Sequence, residues 1–353
     1  MRGADAELVA ERCAAQLLSG SSACTPVDVV TRLLAVQGQD PRGARLAIRA
    51  RTTGLTASAV DSAMTKDRSL LITWLNRGTL HLVATEDYWW LQLLTARRME
   101  AGTSRRLAQE GVSEDDADKA VTLIEAALSA DGALTRAQLG EVIAATGIRT
   151  RGQALVHILA RASIRGHIIR GPMIGNQHAF VLVRDWLGAP PDHFEPGRFD
   201  RDAALAELAR RFLAGHAPAS DRDLAKWSGL PLQDARRGLD AIAGELRERE
   251  DGLTELTASA PAAIPELPAP LLLGSFDPLL HGWVDRTPVL GAATKVVTVN
   301  GLFRPFAMAD GRAVATWSLA SGEVELAPFK ALADHVAAAL RTEAEDVIRF
   351  LGV

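Results

Sequence analysis

The chain has 353 residues, 48% of them hydrophobic, which is enough for two or three domains that each bury a core. No run of about 18 apolar residues occurs, which excludes a membrane-spanning helix, and the opening Met1-Arg2-Gly3-Ala4-Asp5-Ala6-Glu7 lacks an apolar signal core, which points to the cytoplasm. The net charge of −4 excludes a globally basic polymer binder, so any contact with an anionic polymer has to come from a local patch.

Residues 7–18 and 26–36 read as helices. Cys13 and Cys24, the two cysteines, have no Cys/His cluster around them and read as reduced and structural. The second helix stops at Leu34-Ala-Val-Gln-Gly-Gln-Asp-Pro41, where Gly38 separates Gln37 from Gln39 and Asp40-Pro41 imposes a turn. Two amides one residue apart at such a corner can point at the same water or the same base edge. Helices at 44–51 and 56–65 follow. Residues 70–75 and 79–83 alternate around Asn76-Arg77-Gly78 as a hairpin, and 88–109 is a long amphipathic helix.

The middle of the chain repeats the pattern more clearly. Residues 116–130 carry apolar residues at helical spacing, Thr135 with Gln138 has the form of a capping box, and Thr150 can cap a third helix to about 163. Strand-like runs at 167–170 and 179–183 follow. Three helices and then a hairpin is the order of a winged helix-turn-helix. A looser repeat has helices at 201–213, from Ser220, and from Pro231 to about 246, with a short charged hairpin at 246–256. After a proline-rich linker at 258–270, strand-like runs at 271–273, 296–299, 303–308, 312–318 and 323–326 suggest a small barrel-like sheet. A helix at 328–341 closes the chain. The expected organisation is mainly α with β: three tandem winged modules at 1–110, 111–195 and 196–257, then a small β-barrel-like domain at 258–353.

Charge is uneven. Between Glu141 and Asp185 there is no acidic residue, while Arg149, Arg151, Arg161, Arg165, Arg170 and Arg184 fall there with His157, His167 and His178. That stretch covers the third helix and hairpin of the middle repeat, the elements that meet DNA in winged helices, so Arg149, Arg151, Arg161, Arg165 and Arg170 are candidate DNA contacts. Arg42, Arg45, Arg49 and Arg51 form a second basic run, of which Arg42 and Arg45 are candidates. Arg97, Arg98, Arg105 and Arg106 form a third. Arg77 and His81 on the first hairpin are candidates for contact with a base or phosphate. Trp74, Trp89 and Trp90 read as core. No phosphate-binding glycine loop, nucleophile elbow or metal-ligand spacing is present, so no metal and no cofactor is expected.

Three stretches resemble the AlkZ/YcaQ family of winged-helix DNA glycosylases: Ala35-Val-Gln-Gly-Gln-Asp-Pro41, Trp74-Leu-Asn-Arg-Gly-Thr-Leu-His-Leu-Val83, and Leu273-Gly-Ser-Phe-Asp-Pro-Leu-Leu280 with Asp285-Arg286 shortly after. The resemblance covers essentially the whole chain. It implies a C-shaped monomer holding duplex DNA on a basic concave face, and excision of N7-alkylated purines, including bulky adducts and, in some members, interstrand crosslinks. It places the protein on the nucleoid when bound to DNA, and often in self-resistance to a DNA-alkylating natural product. The family's catalytic motif is Gln, a middle residue, then Gln or Asp; Gln37 and Gln39 match the Gln/Gln form. The middle residue is usually aliphatic and here is Gly38, which frees the loop. Asp277 and Arg286 are expected to form a buried ion pair.

Glutamine is a poor general base. N7-alkylation, however, puts positive charge on the base, so the leaving group departs nearly unaided, and the protein mainly has to place the attacking water. Two glutamine carbonyls can do that. The lysine nearest the motif in sequence is Lys66, so a Schiff-base lyase step is not expected and the enzyme should be monofunctional. The rival reading is a non-enzymatic winged-helix transcriptional regulator, which has no need of the glutamine pair.

Overall fold

The computed structural model describes residues 3–20, 23–195, 197–293 and 295–353. The fold is mainly helical with antiparallel sheet, and it divides into two compact units. One comprises Met1–Val60, Leu205–Trp227 and Pro231–Val353; the other comprises Asp61–Ala204 and Ser228–Leu230.

The second unit is built on two hairpins, Leu70–Leu75 with Thr79–Ala84 and Ile168–Ile174 with Gln177–Leu182. Each hairpin is expected to belong to a separate winged module, but their inner strands pair with each other where Ile72 faces Arg170. Leu70–Leu75 is buried along its whole length, with helices Tyr88–Gln109 and Ala154–Ile164 both packed on it. Its one polar side chain, Thr73, meets the Ser163 hydroxyl at 2.9 Å. At the tip of this hairpin Asn76 (φ 55°) and Gly78 (φ 80°) take left-handed conformations, which these two residue types tolerate best.

Helix Glu114–Asp131 starts from Ser113, whose hydroxyl accepts from the Asp116 amide, and Arg136–Ala144 starts from the Thr135/Gln138 capping box legible in the sequence. The third helix, Ala154–Ile164, begins later than a cap at Thr150 gives, because Gly152 turns the chain (φ 65°) and the Glu110 carboxylate accepts from the Gln153 amide at 3.1 Å. Every residue from Ala160 to Ile164 is buried. The helix expected to lie on DNA is therefore enclosed over its last turn and a half by Tyr88–Gln109, Glu114–Asp131 and the sheet.

In the first unit, helices Gly3–Ala15, Pro26–Leu33 and Pro41–Arg49 come from the N-terminal segment, and Asp221–Ser228 and Leu232–Ala241 from the third repeat, with its small hairpin Leu246–Glu248 and Thr254–Leu256. Helix Arg201–His216 enters this unit at Leu205. The C-terminal strands form an open antiparallel sheet in the order Glu323–Pro328, Arg312–Ala320, Phe306–Ala309, Leu271–Leu273. No closed barrel forms: four strands, one of three residues, do not curl far enough to meet. The run 296–299 supplies only an isolated bridge from Val297 to Phe303. The last helix is Asp334–Leu351 rather than 328–341, because the preceding strand continues to Pro328 and the buried stripe Val336, Leu340, Val347, Phe350 carries the helix onward.

The expected Asp277–Arg286 pair does not form. Asp277 is paired with Arg51 by two hydrogen bonds, Nη1 to Oδ2 at 3.0 Å and Nη2 to Oδ1 at 2.9 Å, and both side chains are fully buried. Arg286 instead donates to the Leu280 carbonyl. Arg51 also donates to the Ala47 carbonyl and to Gln16 Oε1, and Asp277 accepts from the Leu279 amide. Removing one partner of such a pair strands a buried charge. Asp277→Ala is expected to lower unfolding free energy by about 3–5 kcal/mol in denaturant titration. A change below about 1 kcal/mol, the range of an exposed pair, is the result that would rule this out.

Candidate functional site

Helix Pro26–Leu33 ends abruptly. Leu34 has φ 64° and ψ −44°, and the Ala35 amide reaches back to the Leu33 carbonyl at 2.8 Å, the geometry of a γ-turn, which is strained for a residue with a Cβ. The chain then runs extended through Val36 and Gln37. Beyond Gln39 it re-enters a helix at once: Asp40 is the N-cap, its carboxylate accepting from the Arg42 amide at 3.0 Å, and Pro41 is the first helical residue. Gln37 is buried and Gln39 exposed. Their amides meet directly, Gln37 Nε2 donating to Gln39 Oε1 at 2.8 Å. The two amides that share a corner in the sequence thus form one hydrogen-bonded pair.

Helix Pro41–Arg49 lies against the segment 272–277. A Cβ on Gly43 would run into the Ser275 carbonyl oxygen, and one on Gly274 would lie 2.9 Å from Leu46 Cβ and 3.1 Å from the Gly43 oxygen. Arg49 donates to the Leu272 carbonyl at 3.1 Å and pairs with Glu343 (2.7 Å) and Asp346 (2.8 Å) of the last helix. Arg49 and Arg51, which read as a surface basic run, are thus interior struts. Arg45 is buried and donates to the Pro41 carbonyl at 2.7 Å, while Arg42 is exposed.

The same sorting occurs in the second unit. Arg161 is buried, pairing with Glu114 (2.6 Å) and Asp118 (2.7 Å), and Arg165 pairs with Glu100 and Asp118 at 2.7 Å each. Arg170 lies over the rings of Trp74 and Phe180, with its pKa lowered by burial and then by Arg136 to about 10. The acid-free stretch is neutralised by carboxylates from helices outside it. Arg149 and Arg151 remain exposed, as do Arg105 and Arg106 of the long helix and Arg77 at the hairpin tip. His157 has its pKa lowered by burial and then by Arg106. A Cβ at Gly229 would lie 3.2 Å from Arg77 Cα, so that glycine lets the hairpin tip approach.

A sequence profile for the family described as DNA glycosylase AlkZ-like matches residues 30–350. The chain belongs to that family. The interstrand DNA cross-link repair glycosylase of Streptomyces sahachiroi is 26% identical over 375 residues, spanning 100% of this chain and 98% of its own. The solved structure of Streptomyces sahachiroi DNA glycosylase AlkZ matches with a TM-score of 0.77 and 26% identity, covering 99% of this chain and 96% of that one. The protein is therefore a DNA glycosylase, an enzyme rather than a transcriptional regulator. Among the described residues no group of three or more His, Cys, Asp or Glu comes together as a metal site, and no helix is long and apolar enough to cross a membrane.

In this AlkZ-like chain His81 is not a phosphate-binding cation. It is buried, and Nδ1 lies 2.9 Å from the Thr79 carbonyl, so Nδ1 carries the proton and Nε2 the lone pair. Burial, and then the Arg77 charge, push its pKa down to about 3, against the opposing hydrogen bond. His216 in the first unit is similarly lowered to about 3 by burial, against its hydrogen bond to Phe212 and with the aid of Arg51, Arg32 and Arg12. Leu34, Gly43, Arg51 and Asp277 support the glutamine segment but carry little signal in one sequence. Asp40-Pro41, read as a turn before a helix at 44–51, is instead the start of helix Pro41–Arg49, with Asp as cap and Pro at the first position.

The two histidines set a pH dependence of stability. Unfolded histidine titrates near 6.5, whereas the folded forms stay neutral down to about 3. Below pH 6.5 the unfolded chain binds protons that the folded chain does not, so stability is whole above 6.5 and falls as pH drops toward 3. Thermal melts are expected to show Tm declining below pH 6.5, with a shallower decline in His216→Gln. An unchanged slope in that variant counts against the buried neutral imidazole.

Proposed function

We propose that Gln37 and Gln39 together hold the water that attacks the sugar carbon as a cationic, N7-alkylated purine leaves duplex DNA. The observation that carries this reading is the 2.8 Å bond between the two amides beside an exposed Gln39. Gln39 Oε1 has a second lone pair after accepting from Gln37, and a side-chain amide carbonyl is an acceptor by nature, so the pair has the chemistry to accept from one water. Neither amide has to deprotonate anything in the ground state, because the base already carries positive charge. The developing oxocarbenium sugar is then trapped by a water fixed in place, which sheds its proton to bulk water as the new C–O bond forms. An amide pair is not itself an acid, so unmodified purines, whose departure needs a proton, are expected to be poor substrates.

The tandem order of helices and hairpins supports three winged modules on DNA, with phosphate contacts at Arg149, Arg151, Arg42 and Arg77 and structural roles for Arg45, Arg161, Arg165 and Arg170. The Streptomyces sahachiroi relative is named for interstrand cross-link repair. That name supports unhooking of crosslinks by this chain too; the family resemblance adds the reading of a monomer that guards its host against a DNA-alkylating natural product, and a motif without a nearby lysine adds that of a monofunctional enzyme.

Gln37→Ala and Gln39→Ala are each expected to slow excision of 7-methylguanine from a duplex roughly 100-fold or more in single-turnover assays, with duplex affinity nearly unchanged. Full activity in the double variant sinks the water-holding role, and a borohydride-trapped protein–DNA adduct sinks the monofunctional one. For DNA binding, Arg149→Gln and Arg151→Gln should each reduce the salt slope of log K by about one. Arg161→Gln should leave that slope alone and lower Tm instead; the reverse pattern would mean that the sorting by burial misassigns the contacts.

A further inference from the structure

The motif segment is pinned on both sides by glycines pressed against backbone. Upstream, a Cβ on Gly215 would strike the Arg32 carbonyl and lie 3.3 Å from Leu33 Cα, just before the strained Leu34. Downstream, Gly43 is set against the Ser275 carbonyl, and its Cβ position is 3.3 Å from Asp40 Cβ, the cap that follows Gln39. From Leu272 to Ser275 the contacts step along the motif helix toward its start, Leu272 with Arg49, Gly274 with Leu46 and Ser275 with Gly43, and Asp277 then reaches back to Arg51 beyond the helix end. Gly43 is the contact nearest the glutamine end.

We propose that Gly43 is a positioning residue for the glutamine pair, and that the Gly274-Ser275 corner is the stop against which the first turn of helix Pro41–Arg49 is seated. This deepens, and rests on, the reading that Gln37 and Gln39 hold the attacking water. Asp40 and Pro41 are fixed by the cap and by proline's φ, so displacement of the first turn is passed to Gln39 with little slack. A methyl group at Gly43 cannot be absorbed by a flexible side chain, because what it meets is backbone. The helix start must move instead, and a misplacement on the order of 1 Å in a positioned group costs about 100-fold in rate.

The fold supplies its own control. Gly238 of helix Leu232–Ala241 makes the same kind of contact, its Cβ position running into the Leu205 carbonyl, but at a site remote in sequence from the motif. Gly43→Ala, Gly274→Ala and Gly238→Ala are to be compared in the full chain, reading single-turnover excision of 7-methylguanine, duplex affinity, Tm, and the side-chain amide resonance of Gln37. Gly43→Ala is expected to lose about 100-fold in rate, keep affinity within a few-fold, and shift the Gln37 amide resonance. Gly238→Ala is expected to keep both the rate and the resonance at matched Tm loss. Gly274→Ala, whose methyl meets Leu46 Cβ and the Gly43 backbone from the other side of the same contact, is expected to lose rate in the same sense, and it decides the matter if Gly43→Ala does not fold. Equal rate losses in the Gly43 and Gly238 variants, or full rate in both the Gly43 and Gly274 variants, overturn the positioning role. If Gln37→Ala and Gln39→Ala are inert while the glycine variants are fully active, the positioning role alone fails. If the glutamine variants are fully active, the water-holding reading fails and takes this one with it.

Discussion

A guanidinium and a carboxylate that no water reaches hold the first unit together. Arg51 closes the helix that follows the glutamine pair, and Asp277 opens a short turn 226 positions later. Coulomb attraction in such a place is strong, but so is the loss of hydration at each partner. Further hydrogen bonds to the Ala47 carbonyl, Gln16 Oε1 and the Leu279 amide offset much of that loss, although Arg51 Nε is left without a partner. Three stretches far apart in sequence are therefore obliged to fold as one body. The close seating of Gly43 and Gly274 follows, since side chains there would hold the two charges apart.

The glutamine pair depends on that body. An amide–amide bond is weak on its own, and a catalytic role built on it requires a backbone that does not drift. Leu34, buried and left-handed, and Asp40-Pro41, which restart the helix without a loop, leave only Ala35 to Gln39 between two anchored helix ends. Five residues between fixed points have little freedom, and Gly38 in their middle weakens the segment less than it would in an open loop.

Much of this was legible in one sequence. The Thr135/Gln138 capping box, the 22-residue helix from Tyr88 and the hairpin around Asn76-Arg77-Gly78 all follow from local chemistry, and they stand where local chemistry puts them. What stayed hidden was long-range pairing. Nothing near Arg161 in the chain announces Glu114 and Asp118, so a run free of acid looked like a DNA-facing patch when much of it is neutralised from neighbouring helices. Asp277 was expected to pair with Arg286, its near neighbour in sequence, and nothing local pointed to Arg51, 226 positions away. The barrel-like reading failed for a related reason: alternation marks strands, but whether a sheet closes depends on strand number and length rather than on any one run.

Enzymes that hydrolyse glycosidic bonds with two carboxylates must keep one protonated and the other ionised, and so work only between two pKa values. An amide pair has no such states to maintain. On the reading given above, the acidity of the surroundings acts on the DNA and on the lesion's own cation, while the groups that hold the water remain the same chemical species throughout.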